Sequence, residues 1–551
     1  MVEFTLNGFS IVSPKGWQDT TINASFQSGV QPDISTDSFE FGGVAIDIID
    51  SWISTYGVFR GCPIVISKNG YNVFEGYLDF NEQFIKVHSN KYIVAVKKDK
   101  GLNQLADYIE GYTMGLLAKN TNLNYYSVPY LVEKKTNALE LAILSITTLL
   151  LLKETYEAIR RLSMSINKFS EAVGNTPFNV GLLVGAGIQV VIDVVYTGAI
   201  AIALKNNITE LLSYLISPIR YQKSINLKGT YNSFFTTLGY NGFETGITDL
   251  DNLYYFPSKN EDSNSQGIPN VNDYGYYMPE FIELTLKTFN AKIAIDSNNK
   301  VQLRTESDPY FLRNSTYVFP DVLLEEQEYN INDLNGTISL SFETDVTDSW
   351  TVDNFTGTAY DIYTKTTSNA GTNLVKGLDE QRFNICLGNR KNSLNTLEKA
   401  LEGLALLADK LINTLGGNSN LASKITRRLG MLIVSDETWS KPKLLTLNSS
   451  LTLNSNHRTV LSAKALYNNY WSYKSFVLNN FKGQRLIYEG IEIPFCLEDF
   501  KKCVDNSYFT INGNTGKFTN LQMGLDSEKA TADFWIENIY DKNLIEETIE
   551  P

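Results

Sequence analysis

Histidine and cysteine are scarce in this chain of 551 residues: there are two histidines and four cysteines. Neither His88 nor His457 sits in a metal-binding spacing, such as two histidines one helical turn apart, so no metal cofactor is expected. The cysteines Cys62, Cys386, Cys496 and Cys503 form no close pairs, which excludes a zinc ribbon and a disulfide framework and leaves them as reduced, buried thiols. Positive charge is also short. The net charge of -14 argues against a protein that grips nucleic acid, because that binding needs clusters of Lys and Arg against phosphate. A basic leader with an apolar core is missing from Met1–Leu6, so cytoplasmic synthesis without export by the general route is expected.

Catalytic signatures are missing as well. Cys62 with His88, or Cys496 with His457, would make a thiol and a base, but no local nucleophile motif surrounds either pair. Glu325 and Glu326 with Glu328, or Glu498 with Asp499, could serve as an acid and a base, yet acidic clusters are usually solvated faces. No glycine-rich loop with a lysine offers a phosphate site. The expectation is a non-enzyme without cofactors.

The long apolar segment is what the chain does have. Ala138–Leu152 is apolar except for Glu140 and three hydroxyl residues. Leu152, Tyr156, Ile159, Leu162, Ile166 and Phe169 then recur three or four apart, which predicts one helical face, with Glu157 and Arg161 as an exposed pair beside it. Gly174-Asn175-Thr176-Pro177 should reverse the chain. Val180–Leu204 is apolar almost all round and long enough to span a bilayer, with Gly181 and Gly185 spaced for close helix approach. Asp193, near its middle, opposes insertion at about 2.5–3.5 kcal/mol. The alternative to insertion is burial of the hairpin by other copies of the chain. Leu141, Leu149, Leu152, Gly181, Gly185, Ile188, Asp193 and Ile200 are the candidate axial or membrane-contact residues.

Around the hairpin the pattern is mainly β. Short apolar runs at Phe4–Val12, Val44–Ile53, Pro63–Ser67, Tyr71–Phe80 and Tyr92–Val96 read as strands of a small β domain. Lys68-Asn69-Gly70 marks a tight hairpin turn. Lys223–Tyr240 reads as strand then helix, Phe256–Tyr274 as a long polar loop, and Pro279–Arg304 as helix, strand, turn and strand. Ser393–Leu415 carries Leu394, Leu397, Leu401, Leu404, Ala408, Leu411 and Leu415, a narrow apolar seam that suits its own domain or a partner helix equally. Leu445–Asn456 holds a six-residue echo with strand alternation. Ile491–Tyr540 reads as strand, short helix at Leu497–Val504, a turn at Asn512-Gly513, and a strand at Ala530–Ile536. The fold class expected is multidomain and mainly β, with barrel-like domains, a long inserted helical hairpin and a second short helical segment. The expected units are a β-barrel-like domain (1–112), the hairpin insertion (113–222), a β or α+β domain (223–375), a helical segment (376–430) and a closing β domain (431–551).

The segments Phe59-Arg60-Gly61-Cys62-Pro63-Ile64-Val65-Ile66 and Val73–Phe80 resemble the N-terminal barrel of tailed-phage tail-hub proteins. The block Phe289–Ile295, Val301–Arg304, Asp308–Phe311, Pro320–Leu324 and Asp348–Thr351 is similar to hub proteins of phages infecting Bacteroidetes-like hosts. The hairpin has no counterpart in this resemblance. The resemblance implies a structural baseplate or tail-tip component of the virion: a ring, usually a homotrimer, that joins the tail tube or distal tail protein to a spike or fibres. DNA would pass through during ejection without specific binding, an acidic wall repelling it. The hairpin would then lie near the axis as a plug, or touch the tape measure protein or, transiently, the host membrane. A membrane-active protein inserting 180–204, and a tail-associated hydrolase of wall or glycan, are the alternatives.

Overall fold

The computed structural model describes residues 2–537 outside the segments 26–32, 133–137, 175–179, 259–277, 323–327, 330–335, 347–358, 367–376, 435–438, 473–484 and 500–507, and outside shorter breaks of one to three residues. It is mainly β, in several sheets, with helices set between them.

The first sheet begins with β1 (Val2–Leu6), β2 (Phe9–Ile11), β3 (Thr21–Ser25), β4 (Asp33–Phe41), β5 (Cys62–Lys68), β6 (Tyr71–Val87) and β7 (Lys91–Lys98). Alternation decides its faces: in β1, β5 and β7 every second residue is buried, as a sheet covered on one side requires. The β5–β6 turn is as tight as Asn-Gly implies. Lys68 pairs with Tyr71, and Asn69 and Gly70 both take positive φ, 52° and 77°, the conformation of a type I′ turn. The sheet does not end with the N-terminal segment. β3 pairs with the strand Asn514–Gly524, which continues through Lys529–Glu537 to Arg485–Pro494. One core of buried residues, from Phe4, Phe39 and Ile64 to Phe518, Leu521 and Phe534, serves both ends of the chain.

One expected strand is a helix. Val44–Ile53 lies within α1 (Val44–Tyr56), whose buried residues Ala45, Ile49 and Trp52 follow helical spacing, four and three apart. The run Val-Ala-Ile-Asp-Ile-Ile is apolar enough for either state, and the spacing of the buried positions, not their number, separates the two. The echo at Leu445–Asn456 is corrected too. Its first copy ends the strand Lys443–Thr446, but its second turns back, with Leu451 at φ 58° and Leu453 bridged to Leu447.

After α2 (Leu102–Glu110) and α3 (Met114–Asn120) come β8 (Tyr125–Val132) and β9 (Ile219–Asn226), an antiparallel pair in register from Tyr125↔Ile225 to Leu131↔Ile219. Between them run α4 (Ala138–Gly174) and α5 (Val180–Leu215). The helical hairpin is thus the connection of a β-hairpin: the strand pair clamps its two ends at one point on a seven-stranded sheet. Helices α6 (Leu227–Thr237) and α7 (Met278–Thr288) lie where the strand-then-helix and helix-strand-turn-strand patterns place them. Their aromatic faces, Tyr231, Phe234, Phe235 and Phe281, fill the largest middle core. The described part of the polar loop after Phe256 ends at Ser258, and the proposed helix at Leu497–Val504 falls outside the described residues apart from Asp499.

Candidate assembly site: the helical hairpin

α4 and α5 pack against each other antiparallel, so residues equally far from Gly174 and Val180 lie side by side. The face that α4 turns inward is only partly the apolar stripe expected from the sequence: Ile159 and Leu162 of that stripe are half-buried. Tyr156 and Ile166 are exposed, at 66% and 48%, while Thr155, Ala158 and Ser165 are buried. Opposite them, α5 buries Thr197, Ile200, Ala201 and Leu204. Small side chains win this face because they let the two backbones approach closely. The hydroxyls tolerate burial because each bonds a carbonyl one turn back: Thr155 Oγ1 donates to Leu151 O at 2.6 Å, and Thr197 Oγ1 to Asp193 O at 2.5 Å. Hydrophobicity alone gives no signal for such a face; the alternation of Thr, Ala and Ser at helical spacing does.

The base of the hairpin is anchored by α8 (Thr396–Thr414) and α9 (Leu421–Thr426). Ala201, Leu204, Ile208 and Leu212 of α5 pack with Leu401, Ala405, Ala408 and Ile412 of α8 and with Leu421 and Ile425 of α9. The seam of α8 therefore packs on its own chain, with Ala405 and Ile412 buried beside Leu401 and Ala408 and with Leu404 half-buried. Two polar devices hold α8 in place. Asp409 accepts from the backbone N–H groups of Leu421 and Ala422, both at 2.9 Å, capping α9. Glu398, in the first turn of α8, is buried against Lys391 at 2.7 Å and Arg428 at 3.6 Å, a charge cluster that fixes the helix to the adjoining sheet.

Above this base, α5 is uncovered. Val191, Ile192, Val194, Val195, Tyr196 and Ile202 are 47–66% exposed. The stretch Gln189–Glu210 is apolar and long enough to cross a bilayer, with a mean hydropathy of 1.3, and only 28% of it is buried. A patch of this kind on one chain in water marks a surface that something else covers. Of the residues singled out from sequence, Ile200 is buried. Asp193 is half-buried and accepts a hydrogen bond from Gln189 Nε2 at 3.1 Å. Leu141, Leu149, Leu152, Gly181, Gly185 and Ile188 lie on the two helices, with side chains outside the described residues.

Cys62, Cys496 and the two histidines lie among the described residues. Cys62 is fully buried, and burial pushes its thiol up to about 12; His88 sits exposed in a turn at φ 50°. Cys496 Sγ donates to Asp499 Oδ2 at 3.1 Å. Both nitrogens of buried His457 are occupied: the Thr446 amide donates to Nδ1 at 3.1 Å, and Nε2–H donates to Gly388 O at 3.0 Å. Burial holds His457 down at about 4. The unfolded imidazole protonates near 6.5, so the unfolded state binds more protons between the two values. Stability is therefore full above about pH 6.5 and falls by up to about 3 kcal/mol as pH drops toward 4. Urea titrations at pH 7.5 and pH 4.5 should show this loss, and His457→Gln should show a smaller difference between the two pH values. Glu325, Glu326 and Glu498 lie outside the described residues, and among those described no group of acidic, His or Cys side chains could hold a metal ion.

The N-terminal sheet carries a cleft of about 650 Å³, bordered by Trp52, Phe59, Tyr77, Phe80 and Tyr108. Its rim is preorganised: Trp52 Nε1 donates to Arg60 O at 2.7 Å, and the Arg60 guanidinium lies over the rings of Tyr56 and Trp52.

No family model and no curated protein matches the chain. Among solved structures it is similar to the 43 kDa tail protein of prophage MuSo2 from Shewanella oneidensis, at 7% identity and a TM-score of 0.34, over 98% of each chain. It is also similar to a tail protein from Neisseria meningitidis, at 6% identity and a TM-score of 0.35, over 98% of this chain and 97% of that one. A third likeness is to prophage tail protein gp18 from Listeria monocytogenes, at 7% identity and a TM-score of 0.32, over 100% of this chain and 98% of that one. At these identities and scores the likenesses assign neither a family nor a function.

Proposed function

We propose that the chain is a structural, non-catalytic subunit of a phage tail tip: a hub, present in the virion as a ring of three copies. It would join the tail tube or distal tail protein to a spike or fibres and leave a lumen through which DNA passes unbound. That the chain works in an assembly rests on one observation, the uncovered apolar face of α5, since exposing it to water costs about 25 cal/mol per Å² of apolar surface. That the assembly is a tail tip rests on the sequence resemblance. Its first block, Phe59–Ile66 and Val73–Phe80, falls on the paired strands β5 and β6 and the loop before them. The acidic balance of the chain, -14, suits a conduit that repels DNA. The hairpin is placed near the axis, as a plug or as the contact for a tape measure protein.

Light scattering and negative-stain imaging of the full chain in detergent-free buffer test this. The expected result is one closed species of about three chain masses with a central lumen. A monodisperse monomer overturns the assembly reading. A chain soluble only in detergent supports the rival reading, in which Gln189–Glu210 enters a membrane, as its length and apolarity allow.

A further inference from the structure

The two outer faces of the hairpin differ in kind. On α4, Lys153, Glu154, Glu157, Arg160, Arg161, Lys168 and Glu171 are all exposed. The antiparallel pairing sets this charged stretch beside the apolar stretch of α5. Immersing the whole hairpin in lipid would carry these charges along, at roughly 2.5–3.5 kcal/mol for each Lys, Arg or Asp at the bilayer centre. α4 thus exposes charge among the apolar Leu150, Tyr156, Met164 and Ile166, whereas every exposed side chain of α5 from Val191 to Ile202 is apolar: α5 is the dry side of the pair and suits the interior of a bundle, α4 the exterior.

The dry side also has a period. Ile192, Val195, Ala199 and Ile202 are exposed and alternate three and four apart. The same alternation runs back along the helix through Ile188, Gly185 and Gly181, which makes three heptads of a and d positions. At about 100° per residue this seam stands on the side of α5 opposite Thr197, Ala201, Leu204 and Ile208, the residues buried on α4 and α8. One helix therefore carries two apolar stripes: one is used within the chain and the other is free. Asp193 is about 130° around the helix from the centre of the free stripe, so the charge near the middle of α5 does not interrupt it.

We infer that the free stripe is the contact between copies of this chain: α5 helices run parallel around a common axis as a coiled coil, with α4 outside. This rests on the assembly reading above and deepens it. Of the four d positions, Ile188, Val195 and Ile202 are β-branched and the first is Gly181. Parallel two-stranded coils favour Leu at d, whereas β-branched residues there favour three or four strands. Of the a positions Gly185, Ile192 and Ala199, the first and last are small enough for close approach near the axis. Copies related by a rotation axis necessarily run parallel, which is the orientation that the seam needs.

Cysteine crosslinking of the full chain tests the arrangement. Val195→Cys places a thiol on the seam at an exposed position, where folding is not at risk; Arg160→Cys places one on the charged face of α4. With mild oxidant, Val195→Cys should join up to about two-thirds of the chains in pairs, the limit for one thiol per chain in a three-fold ring. Arg160→Cys and the unsubstituted chain should give none. If light scattering still shows an assembly but Val195→Cys does not link, or Arg160→Cys links equally, the α5 seam is wrong and the assembly reading survives. A failure of the unsubstituted chain to assemble sinks both. Flotation of the chain with phosphatidylglycerol vesicles, with no Val195→Cys linking, overturns the seam in favour of lipid.

Discussion

Lys443→Met should destabilise the seven-stranded sheet by about 3–5 kcal/mol, the cost of stranding a buried charge. Lys443 and Asp345 are both fully buried, with Nζ and Oδ2 3.6 Å apart. Lys443 begins a strand of that sheet and pairs with Phe256 and Cys386. Asp345 follows the strand Thr337–Glu343 of a separate three-stranded sheet and accepts from Ser440 Oγ at 3.1 Å and the Lys441 amide at 3.2 Å. The pair ties two sheets together. Removing only the ammonium takes this cation from a carboxylate in a site closed to water. The double variant Lys443→Met with Asp345→Asn buries no net charge; its amide oxygen can still accept from the Lys441 amide while its Nδ2–H donates to Ser440 Oγ, so it should recover part of the loss. Urea unfolding of the two variants decides it: equal midpoints would mean that lost packing, not the lost cation, is the cause.

The second large effect is expected at the foot of the hairpin. Leu204→Ala should cost about 2–5 kcal/mol, the range for emptying a fully buried leucine site. The loss should be local. Leu204 belongs to the small cluster between α5, α8 and α9, while the strands of the first sheet share a different core. Hydrogen exchange should show α5 around Ile200–Leu212 and the facing turns of α8 exchanging at least 30-fold faster, with β5, β6 and β7 unchanged. Uniform acceleration across the chain would mean that hairpin and sheets unfold as one unit. The same variant separates anchoring from assembly. The seam lies on the other side of α5, so a loosened foot should leave Val195→Cys crosslinking in place.

Much of this architecture was legible before any coordinates. Asn69-Gly70 alone predicts the β5–β6 turn, because few residue pairs accept two successive positive φ angles. The 3.6-residue period and a break at Gly174 are enough to predict two long helices. Local rules reach no further where two states suit the same residues, as at Val44–Ile53, or where burial is decided by close approach rather than hydrophobicity. Tyr156 and Ile166 are the more apolar choice for a buried face, yet Thr155, Ala158 and Ser165 are the fully buried residues there, because two helices packed side by side reward small side chains, and the hydroxyls among them bond their own helix. The partners of His457 and Cys496 are likewise invisible in one dimension: Thr446 and Gly388 for the imidazole, Asp499 for the thiol.

The sequence by itself determined the classes of structure and the exclusions: a mainly β chain, a long apolar helical hairpin, an acidic balance unsuited to gripping DNA, and tight turns at fixed positions. These follow from composition and from spacing along the chain. Tertiary structure alone decided that β3 joins the strand Asn514–Gly524, nearly five hundred residues away, and that β8 and β9 clamp the hairpin. It also decided which stripe of α5 is used within the chain and which is left free. Strand partners and helix faces are choices among surfaces that look equally apolar in one dimension, and packing in three dimensions settles them.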